Sequence, residues 1–152
     1  MPELKEKKEM TEEYVLGEIY KNVKMGADSI INLLPNVKDD GLRSVMTLQL
    51  DGYEKYAARA AAALEARSLK PKEENVFTRL SAKMGMAVQT MIDSTTSHIA
   101  EMMVEGSNMG ITDMTKLLNG HLPHGTAPEA VRLAKEVVHF EERNLEMLKR
   151  YL

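Results

Sequence analysis

Apolar residues recur at intervals of three and four along most of this chain, and no segment shows a sustained interval of two. That single feature restricts the fold to packed helices, because a strand facing one core alternates with period two and a helix with period 3.6. The first such stripe is Leu16, Ile19, Val23, Gly26, Ile30 and Leu33. Thr11 is a good N-cap with Glu12 and Glu13 in the first turn, and Pro35 ends the run. A second stripe is Met46, Leu50, Tyr53, Ala57, Ala60 and Leu64, starting near Asp39 or Asp40 and closing around Ser68 before Pro71. A third runs from Phe77 through Leu80, Met84, Val88, Met91, Thr95, Ile99, Met102, Gly106 and Met109. A fourth, opening at Thr126-Ala-Pro-Glu129 with capping-box spacing, carries Val131, Ala134, Val138, Glu141, Leu145, Leu148 and Leu152.

The expected architecture is all-α, an antiparallel up-down-up-down four-helix bundle. Residues 1–10 read as a charged, flexible N-terminus and 11–152 as one helical-bundle domain. The pattern of the third helix could run on to Leu117, and a straight helix of about 45 residues would span nearly 70 Å, far longer than its partners. A break is therefore expected at Gly106-Ser107-Asn108, with 109–119 forming a short extra helix between helices three and four.

Composition removes several function classes. Cysteine is absent, which excludes disulfides, thiolate chemistry and zinc sites built on cysteine. The net charge of -3 offers no field for nucleic acid. No apolar run approaches the roughly 20 residues of a membrane span, and residues 1–10 lack the apolar core of a secretory signal. The expectation is a cytoplasmic protein. Methionine is abundant, with 12 residues, and reads as flexible filling between helices.

Two features carry possible chemistry. Glu141 occupies the apolar stripe of the last helix, where a carboxylate is costly unless paired, hydrogen-bonded or metal-bound. His98, Glu101 and Glu105 line one face of the third helix at spacings of three and four, and their donors suit iron, manganese or zinc. If the third helix runs straight to Asn119, counting back from a turn near Pro123 sets Glu105 opposite Glu141; if 109–119 folds aside, the pair is lost. The sequence leaves both open. Gln49 and Glu54 flank the second stripe, and Glu18, Asn22 and Asp28 lie off the first. A dinuclear carboxylate centre uses Glu-x-x-His on two helices, whereas this chain has only the reverse, His98-Ile-Ala-Glu101 and His139-Phe-Glu-Glu142. His139 points away from the core. His121 and His124 form a His-x-x-His that reads as loop.

The stretches Tyr20-Lys-Asn-Val-Lys-Met-Gly-Ala-Asp28, Leu50-Asp-Gly-Tyr-Glu-Lys-Tyr56, Ser97-His-Ile-Ala-Glu-Met-Met-Val-Glu-Gly-Ser-Asn-Met-Gly110 and Glu141-Glu-Arg-Asn-Leu-Glu-Met-Leu-Lys-Arg-Tyr-Leu152 resemble the ferritin-like four-helix bundles, in their branch of small uncharacterised bacterial proteins. The resemblance runs from about Thr11 to the end and implies architecture rather than activity. The metal ligands of ferritins do not carry over, because their Glu-x-x-His positions have no counterpart.

Three functions remain open. The leading one is a non-enzymatic bundle acting through homo-oligomerisation, a dimer foremost, or through a protein partner. The second is binding of iron, manganese or zinc by Glu141 with His98, Glu101 and Glu105. The third is a small molecule held between helices by Tyr53, Gln49 and Glu141.

Overall fold

The structure, a computed structural model, describes residues 2–69, 94–120, 122 and 128–152, with side chains described from Glu12 onward. Among these residues there are four α-helices and no strand: α1 Pro2–Leu33, α2 Asp40–Glu65, α3 Thr96–Asn119 and α4 Pro128–Lys149. A short 3₁₀ turn, Leu34–Asn36, links α1 to α2 and places Pro35 in its first turn, where no N–H is needed. α1 packs chiefly on α2 and α3 chiefly on α4; α1 also meets α3 and α4, and α4 meets α2.

Two of the helix starts have a local cause in a side-chain cap. The Asp39 carboxylate accepts the Leu42 N–H at 2.8 Å, satisfying one orphan donor of α2. The Thr95 hydroxyl does the same for His98 N–H at 3.2 Å at the start of α3. α2 closes with Leu69 N–H bonding Leu64 C=O and Ser68 N–H bonding Glu65 C=O, the paired Schellman bonds, and Ser68 takes the left-handed φ of 56° that this ending requires.

The core is built from the predicted faces with one rotation. On α1, Leu16, Ile19, Val23, Ile30 and Leu33 are buried as expected, joined by Val15, Tyr20 and Ala27. On α2, Met46, Tyr53, Ala60 and Leu64 are buried, while Leu50 and Ala57 sit at the margin. Burying each large aliphatic side chain contributes roughly 1.5–3 kcal/mol, so these faces dominate the fold. Ion pairs ride on the rim: Arg67 to Glu12 at 2.8 Å and Arg59 to Glu136 at 2.7 Å. Phe140 of α4 packs edge-on against Tyr53, with ring centroids 4.9 Å apart. Gly52 makes room for it, since a Cβ there would overlap the Phe140 ring.

Three expectations are corrected. The break at Gly106-Ser107-Asn108 is absent, and 109–119 is the second half of α3 rather than an extra helix. The length argument fails because α3 starts only at Thr96, with Ser94 and Thr95 outside it. A helix of 24 residues spans about 36 Å and needs no break. An exposed glycine weakens a helix without interrupting its hydrogen bonds, and no proline is present to do so. The buried stripe of α3 is Ile99, Ala100, Met103, Ser107, Gly110 and Met114, so Met109 and Gly106 face outward. α1 begins at Pro2, ahead of the Thr11 cap. The third stripe from Phe77 to Met91, the loop histidines His121 and His124, and Thr126 of the capping box lie outside the described residues.

Candidate functional site

Glu141 is the centre of an internal polar cluster fed by all four helices. It projects from α4 with only 1% of its surface exposed. α1 supplies Asn22, whose Nδ2 donates to Glu141 Oε1 at 2.5 Å. α3 supplies Gly110, against whose backbone the carboxyl lies so closely that a Cβ there would overlap Oε2. α2 supplies Tyr53, whose hydroxyl lies near enough to pull the proton affinity of the carboxyl down. The Tyr53 ring in turn fills the space over Gly26 of α1, where a Cβ would strike the ring. Glycine at 26, 52 and 110 thus lets three bulky or polar side chains enter the bundle.

Around this core lie Ser107, Gln49 and Asn144, all buried. Gln49 Nε2 donates to the Asn144 backbone carbonyl at 3.3 Å, tying α2 to α4. Ser107 and Asn144 both act as hydrogen-bond partners on the Tyr53 hydroxyl in the electrostatic balance. Asn144 nonetheless lacks good hydrogen-bond geometry through its Nδ2 with any described group, as does Gln49 through Oε1. The Asn144–Tyr53 approach is therefore a proximity that biases the phenol, not a formed bond.

The electrostatics follow from the partners. Burial pushes the Glu141 carboxyl from an ordinary 4.5 up to about 8; Asn22 and Tyr53 pull it back, and the negative charge of Asp113 adds to the rise. Among the described residues no cation acts on it. The carboxyl is thus held protonated at neutral pH. Burial likewise raises Tyr53, with Glu141 adding to it, so the phenol stays neutral. Asp28, buried on α1, is raised by desolvation and partly offset by Lys24 at 3.9 Å.

The four sequence candidates do not meet. Glu101 and Glu105 are exposed on the outer face of α3, while His98 is half-buried in its first turn. Although α3 does run straight, the residue that meets Glu141 is Gly110, not Glu105. Among the described residues no group of three or more His, Asp or Glu is placed to hold a metal ion. His139 is exposed, as expected, 3.9 Å from Glu142.

The chain matches no family model, no curated protein and no solved structure. The site must therefore be read from its own geometry. Apolarity alone missed Ser107, Gly110 and Asn144 and set Asn22 off the first stripe, whereas Gln49 was expected beside Tyr53 and Glu141. A signal for some of them existed. Met103, Ser107, Gly110 and Met114 are spaced four, three and four, as regular a helical stripe as the more apolar one beside it. Asn144 stands three residues after Glu141, on the same helix face.

Proposed function

We propose that this protein is a non-enzymatic helical bundle that acts by association, as a homodimer in the first instance. The observation that carries this reading is the sealing of Glu141. A carboxyl whose proton affinity burial strongly raises is 1% exposed and hydrogen-bonded to Asn22 of α1. Its chemistry is directed at holding the four helices together, not at a substrate arriving from solvent. What the described surface offers to another molecule includes the side chains of Tyr14, Ile31, Leu48 and Met109, each about half exposed or more. Large apolar side chains on helix exteriors suit contact with a second copy. None of the described helices is long and apolar enough to cross a membrane, so these side chains are not part of a membrane span.

The arrangement of the helices belongs to the same proposal. Arg67 with Glu12, and Tyr53 with Gly26, pair rising positions on α1 with falling ones on α2. Arg59 with Glu136, Phe140 with Gly52, and Asn144 with Gln49 do the same for α2 and α4. α3 and α4 are joined by a short link, and Gly110 meets Glu141 near the level that a hairpin gives. These pairings support an up-down-down-up order in place of up-down-up-down, with α2 and α3 running the same way. An order with one long crossover is that of ferritin-like bundles.

Sedimentation velocity on the full chain tests the association. A dimer at micromolar concentration is expected, weakened tenfold or more by Ile31→Glu with Leu48→Glu. A wild-type chain that stays monomeric at all accessible concentrations would overturn it.

A further inference from the structure

We propose that the middle of the bundle binds one small neutral guest, water or a compact alcohol or amide, between the Gln49 side-chain carbonyl and the Asn144 side-chain amide. Both residues are more than nine-tenths buried. The two residues are neighbours across α2 and α4, since Gln49 Nε2 donates to the Asn144 backbone carbonyl. That bond fixes the orientation of the Gln49 amide: its nitrogen faces a carbonyl, so Oε1 is the end left over. Oε1 and Asn144 Nδ2 have no hydrogen-bond partner among the described residues.

A buried polar atom without a partner costs about 1–3 kcal/mol, and more than about 90% of buried polar groups in folded proteins have one. Here an unmatched acceptor and an unmatched donor come from two buried residues joined by a side-chain-to-backbone hydrogen bond. One molecule with both capacities satisfies both. The chemistry also discriminates. An anion would face the partial negative charge of Gln49 Oε1. A cation would leave Asn144 Nδ2 unmatched. A neutral donor–acceptor suits both atoms, and the Tyr53 hydroxyl, approached by Asn144 and Ser107, offers a third contact. Buried waters of this kind typically make about three hydrogen bonds. The inference is independent of the surface association proposed above.

A high-resolution crystal structure of the full chain tests it. The expected result is ordered density at about 2.7–3.2 Å from both Gln49 Oε1 and Asn144 Nδ2. A single rounded feature identifies water, and an elongated one an organic guest. Rotation of the two side chains to bond each other or another protein group, with no density between, would overturn the proposal. In solution, cross-relaxation between the Asn144 amide protons and the guest, or long-lived water, is expected in the wild type and lost in Gln49→Met. Its absence from the wild type would equally overturn the proposal, whether or not the variant folds.

Discussion

The two faces of α3 hold opposite chemistry. The outer face carries Glu101 and Glu105, the residue types that suit a metal or an acid–base role, and both lie in solvent. The inner face carries Ser107 and Gly110, which advertise nothing, and it receives Glu141 and Tyr53. The same carboxyl group is an ordinary surface charge on one side and a protonated structural element on the other. What separates them is room. Gly110 admits a carboxyl from α4 into the helix interface, and the Asn22 amide meets it there. A carboxyl so placed, with no cation acting on it, is cheaper to bury neutral than charged.

The largest expected effect breaks the comparison through pH. The folded-state affinity of Glu141 for its proton exceeds that of an unfolded glutamate, with values of about 8 and 4.5. The native state therefore binds more protons than the unfolded state between these limits, and stability falls as pH rises through that window. The full span is on the order of 5 kcal/mol. Urea unfolding from pH 5 to 8.5 should show that decline, and Glu141→Gln should remove most of it. Asp28, also raised, contributes in the same direction and accounts for a remainder.

Next in size is a paired glycine test. Gly110→Ala forces a methyl into the Glu141 carboxyl and should cost about 1–3 kcal/mol by overpacking. Four residues earlier, a Cβ on Gly106 meets nothing within 4 Å, so Gly106→Ala should stabilise by about 0.5–1 kcal/mol through helix propensity. Equal effects at the two sites, measured by thermal or urea unfolding, would erase the distinction between the faces.

The smallest effect lies on the outer face itself. Glu101→Gln and Glu105→Gln should each change stability by no more than about 0.5 kcal/mol, because both side chains are exposed. A larger loss in either would show that this face is engaged.

The helical character, most of the apolar faces of α1 and α2, half of that of α4 (Leu152 is exposed and Val131 and Leu145 only partly buried) and the inward position of Glu141 were legible in the sequence, because burial of large aliphatic residues leaves a period that can be counted. The α3 face was not. Its outward Met109 outweighs the inward Ser107 and Gly110 on any apolarity scale, yet small residues are selected there by what packs against them. Nothing local to Gly110 reports a carboxyl arriving from thirty-one positions further along. The Glu141 partner Asn22 was hidden for the same reason: it looks like a flanking polar residue until the helices are brought together. Gly106 misled in the other direction, since a glycine on a helix exterior looks like a break and is only a weak link.

The central claim is that Glu141 is a protonated carboxyl built into the packing of four helices. Carbon-detected NMR titration of the Glu141 side-chain carboxyl in the folded protein tests it most directly. The expected midpoint is about 8. A midpoint near the ordinary 4.5, with the protein still folded, would mean that the carboxyl reaches solvent or a cation and would contradict the account.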